Sequence, residues 1–147
     1  MIEISKHKTG IMIAIALLWL AIMFLGWTNN FVVGMVLGVV LMFLHAVLGA
    51  SHEGKLSTKF LVYPLLAWAV LWISSFLLGN HYAVKFAGQV PSFTVTGLHP
   101  SFATTFYLYW FGGMLTMSLG LYLLRKEWLS DETWEKFQAE VKLLEEE

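Results

Sequence analysis

Ser101-Phe-Ala-Thr-Thr-Phe-Tyr-Leu-Tyr-Trp-Phe-Gly-Gly-Met-Leu-Thr-Met-Ser-Leu-Gly-Leu-Tyr-Leu-Leu124 is 24 residues without a charge, followed at once by Arg125-Lys126. At ~1.5 Å per residue a helix of this length measures ~36 Å, enough to cross a ~30 Å hydrocarbon core with some tilt. Small residues recur on it four apart, at Gly112, Thr116 and Gly120. In lipid the hydrophobic effect does not draw apolar helices together, and close backbone approach across small residues takes its place. One face of this helix is therefore shaped for another helix.

Three apolar stretches precede it. Gly10–Thr28 carries no charge and ends Leu25-Gly26-Trp27-Thr28-Asn29-Asn30, without the Ala-x-Ala pattern of a cleaved secretory signal, so it reads as an uncleaved first span. Phe31–Ala50 is the second, interrupted only by His45, and Phe60–Gly79 is the third. The composition agrees: 58% hydrophobic and 13% charged, with a mean hydropathy of +0.69. That charged fraction is about half the soluble average and points to the membrane class.

Lysine and arginine set the expected orientation. Lys6, Lys8, Lys55, Lys59, Arg125, Lys126, Lys136 and Lys142 fall on one side of the four spans, and Lys85 alone on the other. The positive-inside rule then puts both termini and the Ser51–Lys59 loop in the cytoplasm. The expected fold is all-α: an integral membrane four-helix bundle over residues 1–128, with spans at about 10–28, 31–50, 60–79 and 101–124. An acidic cytoplasmic amphipathic helix over 129–147 follows. The expected place is a cell inner (plasma) membrane, crossed several times, with the lipid bilayer as a partner.

In the tail, Ser130 is a candidate N-cap, with Asp131 and Glu132 suited to the positive end of the helix dipole. Trp134, Phe137, Val141 and Leu144 follow at spacings of 3, 4 and 3, which makes one apolar stripe. Residues 131–147 hold seven acids against two lysines, net −5. Anionic lipid repels such a helix, so the stripe is expected to dock on a protein partner or on the chain's own cytoplasmic loops, with a merely solvated helix as the equal alternative. Between the third and fourth spans, Asn80–Pro100 reads as an outer loop holding Pro91 and Pro100.

Several function classes fall away. With no cysteine there is no disulfide, thiolate metal site, iron–sulfur cluster or cysteine nucleophile. No basic stripe suggests nucleic acid. None of the four spans contains Asp, Glu, Lys or Arg. Ionisable groups in a membrane mark ion paths and proton relays, and a chain without them is not expected to be a self-sufficient coupled transporter. No Ser-His-Asp set, phosphate loop or His-Glu-x-x-His motif is present, so an enzyme acting alone is not expected.

Four groups of candidate residues are left. The helix-interface set is Gly34, Gly38, Gly112, Thr116 and Gly120. Trp19, Trp68, Trp72 and Trp110 lie inside the spans instead of at the interfacial belts, a pattern that serves either helix packing or an aromatic-lined pocket. His45, His52, His81 and His99 offer neutral imidazoles for haem or a metal, against a simple hydrogen-bonding role; no cofactor is the leading expectation. Trp134, Phe137, Val141 and Leu144 form the partner-docking stripe. A weak internal repeat also shows, with Leu18–Gly26 and Leu71–Gly79 each carrying Trp and Gly seven apart.

The third and fourth spans resemble the small accessory subunits of bacterial solute:sodium symporters. The resemblance rests on Leu71-Trp72 to Gly79, on Gly97-Leu98-His99-Pro100-Ser101-Phe102, on Trp110 and on the basic Arg125-Lys126 end. This chain has four spans where that family usually has two, and a longer outer loop. The resemblance implies a non-catalytic helper of a larger transporter, one that stabilises or modulates it without a transport site of its own. The alternative is a haem- or quinone-binding anchor subunit of a redox complex. The partner is a larger membrane protein or further copies of this chain.

Overall fold

Residues 1–52 and 54–145 are described in the structure, a computed structural model, with nothing stated of Glu145 beyond its backbone. The fold is mostly helical. Strand β1 (Ile2–Glu3) and a single 3₁₀ turn lead into α1 (Lys8–Trp27) and α2 (Phe31–Gly49). Strand β2 (Lys55–Leu56) precedes α3 (Thr58–Lys85). After a loop come α4 (residues 100–123), the short α5 (Arg125–Trp128) and α6 (Asp131–Glu145). Three helices, α1 to α3, are long and apolar enough to cross a membrane. The fourth apolar stretch also folds as one unbroken helical run, but its winding alternates: Thr105–Phe111 and Met114–Ser118 are π-helical, between α-helical turns.

Local chemistry explains the joints. At the end of α1, Asn29 adopts φ 59° and the Asn30 N–H reaches back to Leu25 O at 2.9 Å, a Schellman-type stop. Thr28 Oγ1 donates to Phe24 O, so the chain reverses within three residues. Near the start of α3, Pro64 lacks a donor and biases the residue before it to extended backbone. Tyr63 accordingly takes φ −130°, ψ 117°, inside a π-helical stretch (Leu61–Leu66) and before a cis peptide.

The third helix outruns its apolar stretch. Hydropathy falls after Gly79, and the outer loop was expected to begin at Asn80, but α3 continues to Lys85. Polar side chains end a buried face without ending a helix, and nothing at Asn80-His81 disrupts the backbone. The stop comes when Gln89 Nε2 caps Lys85 O at 2.8 Å and Gly88 turns to φ 70°. The loop is therefore residues 86–99. Within it Ser92-Phe93-Thr94-Val95-Thr96 alternates polar and apolar residues yet forms no strand; Val95 and Leu98 exchange two backbone hydrogen bonds around Thr96 (φ 50°) and Gly97 (φ 81°), a two-residue turn of type I′ signs.

Two apolar clusters hold the helices. The first joins Val47, Ala50, Leu56, Phe60 and Leu65, with Ile4, Leu124 and Trp128 packed on it. It gathers the amino-terminal segment, the loop before α3 and the end of α4 at one end of the molecule. Antiparallel pairing of Ile2 with Leu56 and Glu3 with Lys55 adds to it. Gly54 (φ 76°) lets the loop close on the N-terminus: a Cβ there would lie 2.8 Å from Ser5 Cβ. The second cluster is Val39, Trp68 and Ala69, with Trp72, Ile73, Phe76 and Met117 around it.

Candidate functional site

Side-chain hydrogen bonds join the seam between α3 and α4. Three side chains of α3 donate to main-chain carbonyls of α4: Tyr63 Oη to Leu115 O at 2.6 Å, Trp72 Nε1 to Tyr109 O at 3.1 Å, and Ser75 Oγ to Thr104 O at 3.0 Å. Thr104 Oγ1 answers to Ser75 O at 3.3 Å. Two of the acceptors, Tyr109 and Leu115, belong to the π-helical turns, where i→i+5 bonding redirects carbonyls away from the α-helical ladder. The unusual winding of α4 and the hydrogen bonds from α3 thus fit one another.

Glycines set the depth of this seam. A Cβ on Gly112 would stand 2.9 Å from Leu71 Cδ1, one on Gly113 2.9 Å from Trp72 Nε1, and one on Gly120 would overlap the Pro64 ring. Thr116 is buried and donates to Gly112 O at 2.6 Å. The ridge of Gly112, Thr116 and Gly120 is therefore occupied within the chain. Around Gly34 the packing is looser, with an added Cβ 3.8 Å from Leu25 Cβ, and a Cβ on Gly38 would meet nothing within 4 Å.

Above Gly113 an aromatic wall forms. Trp72 stacks on Tyr109 with centroids 4.0 Å apart, Trp68 leans on Trp72 at 4.8 Å, and Phe76 stands edge-on to Trp72 at 6.3 Å. This wall borders a cleft of about 500 Å³ between α2, α3 and α4. Trp68, Trp72 and Trp110 all line it, joined by Tyr109 and Ser118 and by the thioethers of Met42, Met114 and Met117. Trp19 does not: α1 packs against α2, buries no residue, and leaves Trp19 53% exposed on its outer side. Sequence reasoning missed the methionines, Tyr109 and the Gly113 slot, and also Pro64, whose position inside an apolar stretch was the available sign of irregular backbone.

The histidines are separated. His45 points outward and its Nδ1 meets Leu41 O of its own helix at 2.9 Å, while His52 pairs through its backbone with Lys55. At the other end His81 stands edge-on to Tyr82, and His99 caps α4. Its Nδ1 accepts the Ser101 N–H at 3.3 Å and lies 2.8 Å from Ser101 Oγ. His99 also meets Phe86 edge-on, within a cluster of Tyr82, Phe86 and Phe93 that folds the 86–99 loop onto α3. Among the described residues no three His, Asp or Glu side chains come together to hold a metal.

The tail helix α6 is capped as its sequence suggests, with the Thr133 N–H donating to Ser130 Oγ at 3.1 Å. Trp134 and Phe137 stack at 5.7 Å on the stripe, yet Phe137 is 53% and Leu144 72% exposed; Val141 is half-buried. Glu132 meets Lys136 Nζ at 2.8 Å. That hydrogen bond and the ammonium charge hold the Glu132 carboxyl below its usual value, with a smaller lowering from His52. Trp128 folds back instead, donating to Leu121 O at 3.1 Å.

The chain matches no protein-family model, no curated protein and no solved structure.

Proposed function

We propose that this chain is a non-catalytic small subunit of a larger membrane protein. It crosses a cell inner (plasma) membrane four times as a helical bundle with both termini in the cytoplasm. The observation that carries the reading is α6. A capped acidic helix keeps the stripe of Trp134, Phe137 and Leu144 largely exposed, on the same side as most of the chain's cations. The net −5 of residues 131–147 disfavours both anionic lipid and a second copy of the same segment; it suits an apolar groove rimmed by lysine and arginine on a partner.

Two further features support it. No Asp, Glu, Lys or Arg lies between residues 10 and 49, 60 and 84, or 101 and 124, so the chain offers no ion-coupling group of its own. The resemblance of residues 71–126 makes a sodium-coupled transporter the proposed partner, with α6 docking on its cytoplasmic face. Capture from native membranes in mild detergent tests the assignment. A stoichiometric membrane partner is expected, retained less well by a Trp134→Ala/Phe137→Ala variant. Recovery of the wild type as a lone monomer would refute it.

A further inference from the structure

We infer that the cleft between α2, α3 and α4 binds a neutral, planar ring bearing carbonyl oxygens, that is, the ring of a lipid-soluble quinone. The inference rests on the chain lying in a bilayer, as proposed above, and not on the identity of any partner.

The wall is built before a ligand arrives. Trp72 is fixed by the hydrogen bond to Tyr109 O, by the 4.0 Å stack on the Tyr109 ring and by the slot that Gly113 leaves. Trp68 behind it is 2% exposed. A flat ring stacking on such a surface orders little that is not already ordered, which is the condition for useful affinity. The volume, about 500 Å³, falls inside the range of small-molecule clefts, roughly 300–1,000 Å³. Trp68 and Trp72 stand near the middle of α3, and the rim residues Met42, Trp110 and Met114 are half-exposed. The cleft thus opens sideways, where lipid would lie.

Chemistry selects the ligand class. No lining residue is charged, so a hard ion would lose its hydration with only aromatic faces in return. Three donors belong to the lining residues and make no hydrogen bond among the described residues: the Tyr109 hydroxyl, the Trp110 Nε1–H and the Ser118 hydroxyl. In hydrocarbon an unmatched donor is costly, and an acyl chain supplies no acceptor for it. Carbonyl oxygens at a ring's edge do. The thioethers of Met42, Met114 and Met117 complete an adaptable, polarisable floor.

The test uses the full chain in nanodiscs, titrated with a decyl-substituted benzoquinone while tryptophan emission is followed. Saturable quenching is expected. Tyr109→Phe and Ser118→Ala should each weaken it roughly fivefold to tenfold, the size of one hydrogen bond, without changing the circular dichroism. Trp19→Phe should leave the affinity unchanged, and partner capture should be the same for all three variants. Quenching that only rises in proportion to quinone in the bilayer would overturn the inference. So would an affinity unchanged in the Tyr109→Phe/Ser118→Ala double variant. A lipid brominated at mid-chain that quenches these tryptophans and is not displaced by quinone would assign the cleft to an acyl chain instead.

Discussion

Leu18–Gly26 in α1 and Leu71–Gly79 in α3 both carry Trp and Gly seven residues apart, yet they meet opposite surroundings. Trp19 faces outward and nothing lies within 4 Å of a Cβ on Gly26. Trp72 is held by a carbonyl, a tyrosine ring and a glycine, and a Cβ on Gly79 would sit 3.1 Å from Thr104 Oγ1. The second stretch has Ser74-Ser75 where the first has Ala21-Ile22, and Ser75 bonds to α4; the partners differ as well. α4 presents glycines and redirected carbonyls to α3, whereas among the described residues no side-chain hydrogen bond joins α1 to α2, and a Cβ on Gly34 would meet only Leu25 Cβ. In an apolar medium such contact barely distinguishes protein from lipid, while hydrogen bonds and close backbone approach do. The molecule thus has a clamped half and a loosely held half.

That contrast can be broken most forcefully at Gly120. Gly120→Leu drives a side chain into Pro64 and is expected to cost about 3 kcal/mol or more. Gly26→Leu, with open space around it, should change stability by no more than about 0.5 kcal/mol. Unfolding in mixed micelles with increasing SDS, followed by circular dichroism, measures both; equal losses would abolish the distinction. Trp72→Phe comes next, at about 2 kcal/mol for the lost hydrogen bond and reduced stacking, against roughly nothing for Trp19→Phe. Tyr63→Phe removes a single hydrogen bond to Leu115 O and should cost about 0.6 kcal/mol, the mean for such bonds between membrane helices.

The smallest expected effect lies in the tail and concerns pH. Glu132 is exposed, and Lys136 lowers its pKa from the usual 4.5. A depressed carboxyl stabilises the fold above its unfolded value, so this contribution is complete at neutral pH and fades as pH falls through the lowered folded value. An NMR titration of the Glu132 carboxyl should give a midpoint below 4.5. Lys136→Met should return it toward that value, and a wild-type midpoint at or above it would mean that the pair does not persist in solution.

Much of the architecture was legible from residues alone, because hydropathy and end signals are local. α1 and α2 begin and end within two residues of the apolar stretches, and Ser130 caps α6 where a serine before Asp-Glu predicts. The end of α3 was not legible at Gly79, since a fall in hydropathy marks where an apolar face stops and says nothing of backbone hydrogen bonding. His99 illustrates the same limit: its imidazole caps α4, a role set by the turn at Thr96-Gly97 that brings it to the first residue of a helix. The candidate site was visible only as a list of mid-stretch tryptophans.

Sequence by itself determined the apolar helices, the acidic capped tail and the absence of Asp, Glu, Lys and Arg from the four apolar stretches, since each follows from composition and spacing along one helix. Tertiary structure decided which of two similar Trp–Gly stretches is clamped, that Gly112, Thr116 and Gly120 serve the chain's own α3, and that three of the four mid-stretch tryptophans share one cleft. These depend on the register of α4 against α3 and on π-helical turns that redirect its carbonyls. Neither is written in the period of a single helix, because each is a compromise between two helices satisfying one another's polar groups.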